Sequence, residues 1–160
     1  MKRIIASLAA VAMVAGAAPA LAGITPTGTT VTLTGDLFVK QLLSSNCSAT
    51  FVLDVNSTGS AGSITNVDLG TGTVCGGITP NLPWAITWTG TGQGVIDVDA
   101  TTSAGWCRGP LRVEMDSSGK VVIPSGSSNE VPGQIFGFLT ENCVIYSLPP
   151  HLSSSPAINF

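Results

Sequence analysis

Cys47-Ser48-Ala49-Thr50-Phe51-Val52-Leu53-Asp54-Val55 is the stretch on which the fold turns. Cys47, Ala49, Phe51, Leu53 and Val55 alternate with Ser48, Thr50, Val52 and Asp54. Successive side chains of a strand point to opposite faces. The alternation therefore predicts a half-buried strand, whereas a helix would place its apolar residues three and four apart. Cys47 falls on the apolar face, where a disulfide would staple the core.

The same period recurs outward from this strand. Val31 and Leu33 alternate with threonines, and 64–69 is a shorter run of the same kind. Ile96, Val98 and Ala100 face away from Asp97 and Asp99; Leu111, Val113 and Met115 face away from Arg112, Glu114 and Asp116. Residues 121–123, 135–139 and 143–148 complete the set. Turn-forming Ser57-Thr58-Gly59-Ser60, Ser117-Ser118-Gly119 and Pro124-Ser125-Gly126 lie between the runs. This pattern predicts an all-β, single-domain antiparallel β-sandwich or small barrel. Residues 37–43 read as a helical turn or an edge strand, and 125–132 as a long exposed loop.

The first 22 residues read as a cleaved signal peptide. Lys2 and Arg3 precede an alanine-rich apolar stretch, and Ala20-Leu21-Ala22 is a small-x-small cleavage site. The mature chain then starts at Gly23, with a β-domain at 23–148 and a C-terminal tail or last strand at 149–160. This predicts a secreted protein, extracellular or periplasmic. After cleavage no segment is long and apolar enough for a transmembrane helix.

Composition excludes several function classes. Charged residues make up 9% of the chain, against about 25% in a typical domain. Without Lys2 and Arg3, four basic residues face nine acidic ones, a balance of −5 that argues against nucleic acid as a partner. Cys47, Cys75, Cys107 and Cys143 are an even set behind a leader, which predicts two disulfides. Of the three pairings, Cys47–Cys75 with Cys107–Cys143 is preferred, because each closes one half of the chain locally. There is no C-x-x-C, and His151 is the single histidine, so no metal site is expected.

Catalytic residues and cofactors are not expected either. Hydrolytic chemistry needs a base held beside a nucleophile, and the one histidine lies in the proline-flanked 149–151 stretch. Asp97 and Asp99 share a strand face about 7 Å apart, which reads as a solvated surface rather than an acid/base pair or a calcium site.

Residues 75–90 read CGGITPNLPWAITWTG. Trp84, Ile86 and Trp88 would share one strand face. That face is read as core, with a contact surface for an apolar phase or another subunit as the alternative. Pro80 and Pro83 would make the connection out of Cys75 rigid.

The segment from Cys75 to Trp84, with the earlier Asn46-Cys47-Ser48 and the later Gly105-Trp106-Cys107, resembles the exported PraB-like proteins, the protein activator of alkane oxidation family. The resemblance implies a secreted, non-catalytic bacterial accessory protein that assists alkane utilisation or contact with an apolar phase. The alternative is a structural subunit of a cell-surface fibre or adhesin, which would self-associate. In that case the segment 27–35 would act as a donated strand.

Overall fold

A computed structural model describes residues 23–90 and 92–159; the leader read at 1–22 lies outside them. The described residues form twelve strands. They are β1 (Thr30–Lys40), β2 (Ser44–Val55), β3 (Ala61–Asp68), β4 (Thr79–Pro80), β5 (Trp84–Gly90) and β6 (Gln93–Thr101). β7 (Gly105–Met115), β8 (Val121–Val122), β9 (Gly133–Ile135), β10 (Leu139–Thr140), β11 (Val144–Ser147) and β12 (Ser153–Ser155) follow. Short 3₁₀ turns occupy Cys75–Gly77 and Ser127–Asn129.

The strands pair antiparallel in the order β10-β9-β7-β6-β5-β3-β2-β1-β11. β12 pairs with β1, β4 with β6 and β8 with β7. A sheet with one apolar face must cover it, and this one does so by curling on itself. Thr65 is an extra residue between two register positions of the β2–β3 pair, a bulge that adds to the curl.

The open side of this half-barrel is bridged. Val121 of β8 and Leu152 exchange backbone hydrogen bonds of 2.9 and 3.0 Å, and Leu152 leads straight into β12 on β1. Beside it, the Ser147 N–H donates to Ile123 O at 3.0 Å, and Ser147 Oγ accepts the Ile123 N–H at 3.0 Å. A hydrogen-bonded circuit thus runs from β1 through β2, β3, β5, β6, β7 and β8 back to β1. Gly35 permits the closure: a Cβ there would lie 2.9 Å from His151 O and 3.0 Å from Leu152 Cδ2.

The alternating residues point inward as their period requires. Phe51, Leu53, Ile96, Val98, Leu111 and Val113 are all buried. Cys47 is bonded to Cys75 and Cys107 to Cys143, with Cα separations of 5.7 and 6.0 Å. The bonding follows the two halves of the chain.

Several local expectations are corrected. Residues 37–40 are neither helical nor an edge: they continue β1, which pairs with β2 on one side and with β11 and β12 on the other. Because β1 is paired on both edges within its own chain, it is not a free donor strand. The expected loop at 125–132 is anchored by Asn129, which is buried. Its Nδ2 donates to Arg112 O at 3.1 Å and to Pro124 O at 2.9 Å, and its Oδ1 accepts the Arg112 N–H at 2.6 Å. Of the two readings for the C-terminal segment, a last strand is present at β12, and Leu152 and Ile158 on either side of it are buried. The 135–139 run is not one strand but the tip of the β9–β10 hairpin, where Phe136 and Gly137 have φ of 52° and 78°.

Candidate functional site

The barrel interior is the feature with binding capacity. It holds a cavity of about 120 Å³ whose lining includes Leu33, Leu37, Trp84, Ile86, Trp88 and Val98. Trp84, Ile86 and Trp88 therefore face inward, at 6%, 2% and 5% exposure; none of the three forms part of an outer face. Two contacts explain how the rings fit. Trp84 Nε1 donates to Asp99 O at 2.7 Å. Gly94 sits opposite Trp88, and a Cβ on it would come within 2.6 Å of Trp88 Cε3. The absent side chain is the room the indole occupies.

Local sequence makes the cavity reach one end of the barrel. The inward residues along β6 shrink from Ile96 to Val98 to Ala100, with Ala104 beyond the turn. Facing them, the β1–β2 turn carries Gln41, Leu42 and Leu43, which also line the cavity, as do Leu69 and Val74 near the first disulfide. Gln41 is a buried polar side chain and is held in place. Its Nε2 donates to Trp106 O and to Gln134 O, both at 3.1 Å, and its Oε1 accepts the Thr102 hydroxyl at 2.5 Å. It ties the β1–β2 turn to the β6–β7 turn and to β9, across the end of the barrel.

Large apolar side chains are exposed around this end. Leu42 and Leu43 are 47% and 61% exposed, and Phe136, Phe138 and Leu139 are 57%, 73% and 48% exposed. The β9–β10 hairpin is docked on the same end: Phe136 N–H donates to Ala104 O at 2.8 Å. Clustered exposed apolar residues mark contact surfaces rather than scattered surface chemistry. The sequence reading missed Gln41, Leu42, Leu43 and the hairpin pair. The available signal was a glycine inside the apolar 135–139 run, which marks a turn rather than a strand.

Of the Asp97–Asp99 pair, Asp97 is exposed and Asp99 is engaged away from the cavity. On the outer face Arg108 Nε and Asp99 Oδ1 are 2.8 Å apart, and Asn81 Nδ2 donates to the same oxygen at 2.9 Å. The Arg108 guanidinium also lies 5.5 Å over the Trp106 ring. The four cysteines are consumed in disulfides, and among the described residues no three His, Cys, Asp or Glu side chains gather as metal ligands. His151 Nδ1 lies 3.0 Å from Ser147 Oγ, which superficially pairs a base with a hydroxyl. That hydroxyl is buried and already takes the N–H of Ile123, so it joins β11 to the residue that follows β8.

Two carboxyls carry a pH dependence. The hydrogen bond from the Asn81 amide holds Asp99 below the usual carboxylate value; burial opposes it, and the Arg108 guanidinium, by hydrogen bond and charge, adds to the lowering. The Ser118 hydroxyl, followed by the Lys120 N–H, does the same for Asp116. A folded-state value below the unfolded one, about 3.9, contributes stability above that pH and loses it as pH falls through the folded value. The urea midpoint is expected to fall below about pH 4, and Asp99→Asn with Asp116→Asn to make that fall shallower. Tryptophan-monitored urea titrations across pH check this; an unchanged profile in the double variant refutes it.

No curated protein and no solved structure matches the chain at a significant level. The early cysteine strand, the Cys75–Trp84 segment and the Cys107 strand together form one disulfide-tied barrel, and the family match extends beyond those segments. Over residues 1–160 the chain matches the alkane oxidation protein activator PraA/PraB-like family, and it belongs to that family.

Proposed function

We propose that this is an exported, non-catalytic accessory protein that promotes alkane utilisation by contact with an apolar phase. The observation that carries the reading is the coincidence, at one end of the barrel, of exposed Leu42, Leu43, Phe136, Phe138 and Leu139 with an apolar interior. The leader-like 1–22 segment and the two disulfides support an oxidising, exported location. A chain with 9% charged residues has little electrostatic means of recognising a polar partner.

The test is complementation of a deletion strain, scored by growth on a long-chain alkane against growth on a soluble carbon source, with fractionation of cells and medium. The wild-type chain is expected outside the cytoplasm and to restore alkane growth. Leu43→Ser with Phe138→Ser is expected to fold normally and to lose most of that effect. His151→Ala and Asp97→Asn are expected to retain it. Loss of the effect in either of those last two variants, with the fold intact, would count against a non-catalytic role. Ordered polymers in micrographs of the secreted material would favour a fibre subunit instead.

A further inference from the structure

We propose that the barrel interior is a binding site for the end of a linear alkyl chain. The chain would be admitted between the Gln41–Leu43 turn and the Thr102–Ala104 turn. The inference builds on the accessory reading and names what the apolar contact takes up.

The walls set the ligand class. The deep lining consists of Leu, Ile, Val, Ala, Phe and Trp side chains with the disulfide-bonded Cys107, and the polar lining residues Gln41, Thr73, Thr102 and Ser103 belong to the loops at the open end. A polar group carried into the interior would lose its water without gaining a partner, at a cost of roughly 1–3 kcal/mol. Gln41 does not relieve this, because its amide is committed to Trp106, Gln134 and Thr102. Only hydrocarbon enters without penalty.

The shape narrows the class further. On β1 the lining residues Leu33, Leu37 and Val39 extend over six residue steps, about 20 Å of strand. A volume of about 120 Å³ with a lining that extends this far argues for an elongated rather than a compact ligand. A compact apolar cavity of about 150 Å³ takes a benzene ring; a smaller volume with an extended lining suits an unbranched chain better than a ring. A small barrel of this kind is just wide enough either to be filled by side chains or to hold one small ligand. Here the shrinking residues of β6 leave the interior short of full.

The mouth fits the same ligand. Leu42 and Leu43 both line the cavity and are exposed to solvent. They present apolar surface both to solvent and to the cavity. The exposed Phe136 and Phe138 flank it on the hairpin docked to Ala104. The polar groups a molecule meets at this end are the hydroxyls of Thr73, Thr102 and Ser103 and the Gln41 tie, which makes Gln41 a positioning residue for the β1–β2 turn.

Alkyl chains come from alkanes and from acyl lipids, and the test separates them. Trp84 and Trp88 line the cavity while Trp106 does not, so the folded Trp106→Phe protein reports the interior by fluorescence. It is titrated with 1-bromodecane and with 10-bromodecanoic acid, whose bromine quenches indole on contact. Saturable quenching at one equivalent by either probe supports the site. Tighter binding of the headless probe assigns alkanes, and tighter binding of the acid assigns acyl lipids. Ala100→Leu, which fills the bore, and Ala104→Phe, which blocks the mouth, are each expected to weaken binding at least about tenfold. The second change lies at the rim and leaves the core untouched. Absence of saturable quenching by both probes in the folded protein overturns the proposal, as does unchanged affinity in both blocked variants. Quenching without any alkane-growth effect would instead remove the accessory reading and leave the site standing. Growth promotion without quenching would do the reverse.

Discussion

Reducing both disulfides is expected to unfold the protein under conditions where the oxidised form is fully native. The Cys47–Cys75 bond spans 28 residues and the Cys107–Cys143 bond spans 36. On the loop-entropy account each contributes about 3.5–4 kcal/mol. Together that is comparable to the whole stability of a typical domain, about 5–15 kcal/mol. Their positions add to the effect. Cys47 lies on the inner face of β2 opposite Leu37, and Cys75 opens the 3₁₀ turn beside the mouth. Cys107 on β7 is bonded to Cys143, just before β11. Each bond ties a long strand to a segment with few ladder hydrogen bonds of its own. Urea unfolding followed by circular dichroism, with and without reductant, checks this. Cys107→Ser with Cys143→Ser should cost about half the full effect; a reduced protein with an unchanged midpoint would refute the expectation.

The second large effect is expected from Trp88→Ala, at about 3–5 kcal/mol. Trp88 is buried against Gly94, which leaves space for the ring and for nothing else. Truncation removes a large buried apolar area and widens the cavity that Trp88 already lines. The neighbouring strands cannot collapse into the gap, because β5 is held between β3 and β6 by their ladders. For a chain of this size the melting temperature should drop by roughly 10–20 °C. Gly94→Ala should also destabilise, from the opposite direction, because its methyl group would meet the indole. A Trp88→Ala protein that melts like the wild type would show that the ring contributes little to the core.

Much of the fold was legible because its long strands alternate cleanly. β2 and β6 each carry an uninterrupted inward face that the structure buries, and β7 buries Cys107, Leu111 and Val113 on a face interrupted at Gly109. The short strands were hard to read for a definite reason. β8, β10 and β12 have two or three residues each, too few for any period to show. β12 is three serines, held by its pairing to β1 rather than by propensity. Local composition therefore suggested a loose tail where long-range pairing makes a strand. In the 135–139 run the apolar residues suggested burial, yet the positive φ at Phe136 and Gly137 turns the chain and leaves Phe136 and Phe138 outside.

By itself the sequence determined the all-β class, the inward residues of the long strands and the family to which the chain belongs; for the disulfides it gave a preference among three pairings, which the structure decided. These are properties of short segments, or of residue types whose chemistry leaves few choices. The tertiary structure decided which face of the Trp84–Ile86–Trp88 strand is enclosed, how the sheet closes through Val121 and Leu152, and where the interior opens. Alternation shows that a strand has two different faces, but only the direction in which the sheet curls makes one of them the inside. The mouth is more remote still from sequence. Gln41, Thr102 and Gln134 lie up to 93 residues apart, and it is the closure of the barrel that brings them to one end.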